Sequence, residues 1–182
     1  MKELSARTLR ILTEIHPDLA AVCRRAELYI EGQSFSGFEL ICGLRSKADA
    51  QANAKAGTGI AKSKHLAQQD GKSHAFDFIP DVSDPFPQPN DSAAVKAAKI
   101  SRFRTLIGVF LKAADELGVI VRSGADWNGN GVETPKDAME RGNIADYPHI
   151  ELVRPTETRY ADCVKAAERR RELRANGEPW PI

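Results

Sequence analysis

The feature that most limits how this chain can fold is an irregular alternation of short β-type runs with longer helical segments. Four runs have the composition of strands: residues 38–44, 75–79, 119–124 and 149–153. The segments between them do not follow the regular β-α-β rhythm of a parallel sheet. We therefore predict an α+β fold in which a small antiparallel sheet is flanked by helices.

Start and stop signals indicate where the helices lie. Apolar residues at helical spacing indicate N-terminal helices within residues 1–31, and Gly57 closes an Ala-rich helix. Ser92 is suited to cap a long helix that Gly118 stops, and a charged helix covers roughly residues 157–175. The apolar residues expected to share one face of the long helix are Val95, Phe103, Leu106, Ile107, Phe110, Leu111, Ala114 and Leu117.

The length and composition of the chain fit one folded domain that spans residues 1–182. Apolar residues make up 42% and charged residues 28%, which is ordinary for a globular protein. The chain carries 26 Lys and Arg against 25 Asp and Glu, for a formal net charge of +1. This balance gives no electrostatic reason to expect a nucleic acid or an anionic membrane as partner.

The cysteines and the N-terminus bear on where the protein is made. Cys23, Cys42 and Cys163 are odd in number and widely spaced, which argues against a disulfide framework and against a thiolate metal site. Residues 1–20 lack the apolar stretch and the small-residue cleavage site of a signal peptide. We expect a protein that folds in a reducing cytoplasm, has no stable membrane insertion, and reaches any extracellular target by another route.

Three short pieces, SKH, SHAFD and DYPH, hold most of the residues suited to chemistry. They supply His65, Asp77 and His149, two imidazoles and a carboxylate that suit a zinc ion with an open fourth position. Asp146 lies three residues before His149, and Pro148 keeps the intervening backbone extended. A free carboxylate beside a metal site is what a hydrolytic general base requires. Each piece alone is a weak signal, because a histidine near a strand is more often a hydrogen-bonded structural residue.

Taken in order, these motifs resemble the D-Ala-D-Ala metallopeptidase family, and most of all its phage and bacterial L-alanyl-D-glutamate endopeptidase branch. The similarity extends upstream to GLRS at 43–46 with Gln51, and downstream to GADW at 124–127. It covers roughly residues 35–153, which would be flanked by the N-terminal helices and by a C-terminal helix over residues 156–182. The resemblance implies a single peptidase domain with a fold like that of hedgehog and D-Ala-D-Ala peptidases.

The resemblance also implies the roles of individual residues. It implies a zinc ion bound by His65, Asp77 and His149, with Asp146 as the catalytic base. Arg45 matches a family arginine that stabilises the developing oxyanion or holds a substrate carbonyl. Without the resemblance, an ordinary surface salt bridge would be the simpler explanation of Arg45.

Two further residues near the motifs are candidate substrate contacts. Trp127 is expected to line the substrate groove, with a place in the core as the alternative. Ser63 is expected either to orient His65 through a hydrogen bond or only to shape the turn before it.

The chain departs from the family pattern between its first two candidate zinc ligands. The family usually reads His-x-x-Gly-x-Ala-x-Asp, whereas five extra residues separate His65 from Asp77 here, and Ser73 stands where glycine is common. The insertion makes His74 a rival ligand, but the alternation of side chains along a strand turns it away from the face of Asp77. We therefore favour His65 and expect His74 to be a surface histidine, with a contact to a ligand or to substrate as the open alternative. His16 is expected only to stand at the start of a helix.

Residues 126–137, DWNGNGVETPKD, match the twelve-position calcium-loop template. The matching positions, in order, are Asp126, Asn128, Asn130, Gly131, Val132 through its backbone carbonyl, and Asp137. The alternative is an Asn- and Gly-rich turn with no ion. Some phage members of the family carry a calcium-responsive loop here, so the resemblance favours a calcium site of modest affinity that positions the catalytic base.

Together the motifs and the resemblance predict a zinc-dependent L-alanyl-D-glutamate endopeptidase that cleaves the stem peptide of bacterial peptidoglycan. We expect a monomeric phage endolysin, made in the host cytoplasm without a signal peptide and acting on the cell wall after its release. The open alternatives are a D,D-carboxypeptidase or D-Ala-D-Ala dipeptidase, a non-catalytic zinc-binding module, and a phage tail component. The arginine-rich stretch at 169–174 is expected on a solvated helix face, with contact to an anionic envelope as the alternative.

Overall fold

The computed structural model describes residues 4–30, 37–57, 62–134 and 146–178. In chain order the elements are α1 (Ala6–Glu14), α2 (Pro17–Glu27), β1 (Phe38–Cys42), α3 (Lys47–Lys55), β2 (Ala75–Pro80), α4 (Ala93–Leu117), β3 (Val121–Gly124), β4 (Asp146–Leu152) and α5 (Tyr160–Ala175).

The four strands form one sheet in the order β1-β2-β4-β3, and every neighbouring pair is antiparallel. The predicted α+β fold with a small antiparallel sheet is thereby confirmed. The strands differ from the predicted runs mainly at their ends. β1 stops at Cys42, β3 begins only at Val121, and β4 extends back to Asp146 because the DYPH motif is itself part of the strand.

The apolar face of the sheet packs against α4, and aromatic rings make the contact. The ring of Phe110 on α4 lies 4.8 Å from the rings of Phe38 and Phe78 and 5.1 Å from that of Phe76. Phe76 and Phe78 are two residues apart on β2 and therefore share a face. This edge-on aromatic packing fixes which face of β2 points away from the core.

Side-chain and glycine caps set the ends of the predicted helices. The Ser92 hydroxyl accepts the backbone N–H of Val95, and Gly118 ends α4 with a positive φ of 68°. Only the ends of the predicted apolar face are wrong, because Val95 and Leu117 are exposed in the first and last turns of α4, beyond the sheet.

Buried ion pairs hold α5 against α4. Both Nε and Nη2 of Arg170 donate to the Asp115 carboxylate at 2.8 Å, and Arg174 donates to it at 2.6 Å. Within the arginine-rich stretch, Arg169 and Arg171 are exposed as expected, whereas Arg170 is buried because it pairs with Asp115. Within the described parts of the chain, no helix combines the length and the apolar character needed to cross a membrane.

Candidate metal centre

The pairing of β2 with β4 brings Asp77 and His149 together. In the register of this pair Asp77 lies directly opposite His149, and Phe76 lies opposite Ile150. Because side chains alternate along a strand, Asp77, His149 and Glu151 share the face that turns away from the core. A slip of one residue would place Asp77 among the aromatic rings, so the apolar packing of Phe76 and Ile150 fixes the register of the polar residues.

His65 reaches the same point from the chain segment that precedes β2. Its backbone N–H donates to Ser63 Oγ at 3.2 Å, and its carbonyl accepts from the backbone N–H of Arg45 at 2.8 Å. Ser63 thus contacts the backbone of His65 and not its ring, and its predicted substrate contact stays a prediction. The ring is oriented instead by the Gly43 carbonyl, which accepts a hydrogen bond from His65 Nδ1 at 2.8 Å.

Three donor atoms converge at this site. His65 Nε2 lies 3.1 Å from Asp77 Oδ1 and 3.3 Å from His149 Nδ1, and the last two atoms are 3.0 Å apart. Ligand atoms placed about 2.0–2.2 Å from a tetrahedral zinc ion are roughly 3.3–3.5 Å from one another. The triangle formed by His65, Asp77 and His149 is thus within a few tenths of an ångström of the spacing that zinc requires.

Hydrogen bonds on the far side of each ring fix which nitrogen faces the triangle. Because a carbonyl can only accept, the Gly43 contact puts a proton on Nδ1 of His65 and makes Nε2 the nitrogen available to a metal ion. In the same way the Glu151 carboxylate accepts from His149 Nε2 at 3.1 Å, so Nδ1 is the nitrogen that faces Asp77. Such backing by a carbonyl or a carboxylate is the usual environment of a metal-binding histidine.

The electrostatics of the triangle favour positive charge. Burial acts to lower the pKa of His65 and of His149, but the hydrogen bonds to acidic neighbours outweigh it and raise these pKa values to about 10 and about 9. Burial acts to raise the pKa of Asp77, yet its hydrogen bonds to both imidazoles hold that pKa well below its usual range. A divalent cation would supply the positive charge that the triangle favours, and its binding would displace protons from the two imidazoles.

Glu151 and Arg122 belong to the site although neither was predicted. Glu151 is buried, and its second oxygen accepts from Arg122 Nε at 3.1 Å, while Arg122 Nη1 donates to the Trp127 carbonyl at 2.6 Å. The Trp127 ring is buried with its centroid 5.3 Å from that of His149. Glu151 could have been found from the sequence, because it follows His149 by two residues on a strand and must share its face.

Arg45 and Cys42 lie at one edge of the triangle. Arg45 Nη2 is 3.4 Å from Asp77 Oδ2 and 3.4 Å from Cys42 Sγ, and Cys42 Sγ is 3.7 Å from His65 Nδ1. The wide spacing of the cysteines argued against a thiolate ligand, yet Cys42, His65 and Asp77 are close enough together to share an ion. The Cys42 thiol is nearest to Nδ1 of His65, whereas His149 is close to Nε2. His65 therefore turns one ring nitrogen toward Cys42 and the other toward His149.

Asp146 lies in an irregular stretch at the start of β4, the strand that carries His149. Ser123 pairs with Ile150, so a regular ladder would place Gly124 opposite His149, but Gly124 pairs with Asp146 instead. A Cβ atom added to Gly124 would lie 2.2 Å from the Asp146 carbonyl oxygen, so only glycine permits this approach. Asp146 is half-buried at the start of the strand that carries His149, and its catalytic assignment stays a prediction.

The expectation that His74 is a surface histidine is wrong. Its side chain is buried, and Nε2 lies 3.0 Å from Asp70 Oδ2. The physical reason is that the segment lengthened by the insertion folds back and brings Asp70 over the ring. His16 caps α2 through Nδ1, which accepts the backbone N–H of Asp18 at 3.1 Å, as suits a residue at the start of a helix.

The described part of the candidate calcium loop, residues 126–134, is a tight turn around side-chain oxygens. The Asp126 carboxylate accepts backbone N–H groups from Asn130 at 3.2 Å and Gly131 at 2.7 Å, and Asn130 Oδ1 accepts that of Val132 at 2.8 Å. Asn128 Oδ1 accepts the Asn130 N–H at 2.9 Å. Asp137, the predicted last ligand, lies outside the described residues, so the calcium site stays a prediction.

Three comparisons with known proteins agree with one another. Residues 1–153 match the family model described as phage L-alanyl-D-glutamate peptidase. The chain is 33% identical over 146 residues to the L-alanyl-D-glutamate peptidase of Escherichia phage T5, an alignment covering 78% of this chain and 91% of that protein. The crystal structure of the Serratia marcescens L-Ala D-Glu endopeptidase ChiX matches with a TM-score of 0.56 and 26% identity, over 82% of this chain and 89% of that one.

Proposed function

The chain belongs to the phage L-alanyl-D-glutamate peptidase family, and we propose that it is a zinc-dependent endolysin that cleaves the L-Ala–D-Glu bond in the peptide stems of bacterial peptidoglycan. Membership of this family makes it a peptidase of the cell wall. The observation that carries the zinc dependence is the convergence of His65 Nε2, Asp77 Oδ1 and His149 Nδ1 to 3.0–3.3 Å of one another.

The donor set of His65, Asp77 and His149 fits zinc better than calcium or magnesium, because two of its three ligand atoms are imidazole nitrogens. A zinc ion bound there would supply Lewis-acid chemistry, which polarises a carbonyl group and lowers the pKa of water. The chain's own contribution is to hold both rings in one orientation through Gly43 and Glu151, so that the rings need not turn when the ion displaces their inward protons.

Asp146 and Arg45 are proposed to act on the substrate. Asp146 would accept the proton of the attacking water on its carboxylate and deliver it to the leaving amine of D-Glu. Arg45, whose Nη2 lies 3.4 Å from Asp77 Oδ2, would place its positive charge where the carbonyl oxygen of the scissile bond becomes negative. Trp127 is proposed to support this groove from beneath, through its contact with His149.

The biological setting follows from the family. We propose that the chain folds as a monomeric, single peptidase domain over residues 1–182, is made in the cytoplasm of an infected host, and reaches peptidoglycan when the membrane barrier is opened during lysis. The description of the matching family as phage peptidases supports this setting.

Digestion of purified sacculi tests the proposed bond specificity. The zinc-loaded protein should release fragments with new amino-terminal D-Glu and new carboxy-terminal L-Ala, identified by mass spectrometry after amine labelling. Asp77→Asn, which removes a proposed ligand, should release none, and Glu168→Gln on the exposed face of α5 should match the wild type. Release of terminal D-Ala instead would assign the chain to the D,D-carboxypeptidase or dipeptidase class.

We propose in addition that residues 126–137 bind calcium and thereby position Asp146. Supporting this, Arg122 contacts both the Trp127 carbonyl within the loop and the Glu151 carboxylate that backs His149. A change in the loop would therefore be transmitted through a short chain of hydrogen bonds to a proposed zinc ligand. Two carboxylates among the loop ligands suggest an affinity in the weak range, with Kd on the order of 10⁻⁴–10⁻³ M.

Hydrolysis of sacculi with and without calcium tests this regulation. After EGTA treatment and restoration of zinc, the rate should fall several-fold and should recover in millimolar calcium. Asp126→Asn, which removes a proposed calcium ligand and not a zinc ligand, should make the rate insensitive to calcium. Equal rates for the wild type in EGTA and in calcium would rule the regulation out while leaving the zinc peptidase untouched.

A further inference from the structure

A second group of metal-type side chains lies apart from the candidate metal centre. His16 precedes α2, His74 precedes β2, and Asp70 belongs to the segment lengthened by the insertion. We call these three residues the His16 cluster. They are close enough together for one ligand atom of each to share an ion.

The geometry of the His16 cluster is close to that of a tetrahedral site. Asp70 Oδ2 lies 3.0 Å from His74 Nε2 and 3.7 Å from His16 Nε2, which brackets the roughly 3.3–3.5 Å expected between zinc ligands. The two rings meet edge to face with centroids 5.2 Å apart. The side chains of His74 and His16 are 10% and 15% exposed and that of Asp70 is 35% exposed, so a bound ion would be shielded by the imidazoles and approached from the Asp70 side.

Backbone contacts hold these three residues in place. His16 N–H donates to the Ser73 carbonyl at 2.8 Å, and Ser73 N–H donates to that of Glu14 at 3.0 Å, which joins the start of α2 to the residue before His74. Asp70 Oδ1 accepts the backbone N–H of Lys72 at 3.0 Å. This bond leaves Oδ2 as the oxygen that faces both imidazoles.

We propose that the His16 cluster is a second metal site, which binds a divalent transition-metal ion through His16 Nε2, His74 Nε2 and Asp70 Oδ2. Two imidazoles and one carboxylate select ions such as Zn²⁺, Ni²⁺ and Cu²⁺ over Mg²⁺ or Ca²⁺. A bound ion would fasten the inserted segment to the junction of α1 and α2.

Binding requires one change of tautomer in His16. Nδ1 of His16 accepts the Asp18 N–H, which places the ring proton on Nε2. When Nε2 binds a metal, the proton moves to Nδ1, which then gives up the hydrogen bond from the Asp18 N–H and donates instead to the Asp18 carboxylate, 3.5 Å away.

The competing explanation is a clamp of hydrogen bonds without any ion. In that case His74 donates to Asp70 at 3.0 Å, His16 lies 3.7 Å from the same oxygen as an ion-pair contact, and the cluster is complete as it stands. The two explanations differ in metal stoichiometry, because a clamp of hydrogen bonds adds no bound equivalent to the protein.

Equilibrium dialysis against Zn²⁺, followed by metal analysis, separates them. The full-length wild type should bind one more equivalent of zinc than His74→Gln, whose side-chain amide keeps a hydrogen bond to Asp70. Asp70→Asn should lose the same equivalent, and Asp162→Asn on the exposed face of α5 should lose none. The difference between variants is the readout, so the result does not depend on occupancy of the candidate metal centre.

A second measurement covers variants that fold poorly. Zinc should raise the thermal unfolding midpoint of His149→Ala, which keeps the His16 cluster, and should not raise that of a His149→Ala and Asp70→Asn double variant. Equal zinc content in the wild type, His74→Gln and Asp70→Asn, or equal zinc effects on the two thermal midpoints, would overturn the proposal and leave the clamp of hydrogen bonds.

Discussion

Two buried clusters of charged groups in this molecule balance their charges in different ways. Between α4 and α5, the carboxylate of Asp115 is fully buried and meets two cations, Arg170 at 2.8 Å and Arg174 at 2.6 Å. In the candidate metal centre, by contrast, the Asp77 carboxylate meets two imidazoles, and the three ligand-type atoms lie 3.0–3.3 Å from one another.

The difference shows how a site for an ion can be told from a structural ion pair. Both oxygens of the Asp115 carboxylate accept from arginine donors, three hydrogen bonds in all, so this cluster is satisfied by protein groups alone. In the metal centre Gly43 and Glu151 accept outward ring protons of His65 and His149, so the inward nitrogens face Asp77 and can take up either protons or a divalent cation. Burial alone would not distinguish the two clusters, whereas the direction of the donors does.

Loss of a proposed zinc ligand should have the largest effect on zinc content and on the hydrolysis rate. We expect His149→Ala to bind one equivalent of zinc less than the wild type and to hydrolyse sacculi more slowly by about 10³-fold or more, because several kcal/mol of charge stabilisation are lost with the ion. Metal analysis paired with an initial-rate assay checks both effects. Unchanged zinc content in His149→Ala, with a rate within tenfold of the wild type, would contradict the claim that the candidate metal centre, unlike the Asp115 cluster, binds an ion.

Removal of the proposed base should separate catalysis from metal binding. We expect Asp146→Ala to retain the zinc content of the wild type while kcat falls by about 10²–10⁴-fold, the usual contribution of a general base. Steady-state kinetics on a soluble stem peptide, with metal analysis of the same sample, measures this. Full activity in Asp146→Ala would remove this residue from the base role.

The ion-pair cluster should respond in stability and not in chemistry. We expect Asp115→Asn to lower the free energy of unfolding by about 3–5 kcal/mol, because Arg170 would remain buried without its counter-charge. The hydrolysis rate per folded molecule should stay unchanged at low temperature. Denaturant unfolding followed by circular dichroism measures the loss.

Asp162→Asn is the matched control for Asp115→Asn. Asp162 lies on α5 in an exposed pair with Arg159, at 3.9 Å, so its loss should change stability by less than about 0.5 kcal/mol. If Asp115→Asn were as mild as Asp162→Asn, the buried ion pairs would not be the contact that holds α5 in place.

Much of the fold could be predicted from local signals. Ser92, Gly118 and Pro17 lie at helix ends, where their own backbone chemistry decides the conformation. The antiparallel sheet could be predicted because the strands and helices do not alternate in the regular β-α-β order of a parallel sheet. The ends of the strands were less predictable, because β4 begins at Asp146 through an irregular pairing with Gly124 that no local pattern encodes.

The candidate site was predictable only in part. The three candidate ligands could be named from motifs, and the structure brings their donor atoms together, although their role as zinc ligands remains to be measured. The groups that back the rings could not all be named, because the Gly43 carbonyl has no side-chain signature. His74 was placed on the surface for a similar reason: strand alternation gives the direction of a side chain but not what folds over it, here Asp70.

Glu151 gives the smallest expected effect, because it combines the two kinds of contact. One of its oxygens forms an ion pair with Arg122, and the other accepts a hydrogen bond from the proposed zinc ligand His149. Its Oε1 accepts from Arg122 Nε at 3.1 Å, and its Oε2 accepts from His149 Nε2 at 3.1 Å. Glu151→Gln keeps an oxygen for His149 but turns an amide NH₂ toward Arg122. We therefore expect zinc affinity to fall by about 10–100-fold, measured by competition with a chelator, with kcat preserved at saturating zinc and Glu168→Gln unchanged. If Glu151→Gln bound zinc as tightly as the wild type, the outward hydrogen bond of His149 would not contribute to ion binding, and the direction of donors would lose its value as a criterion.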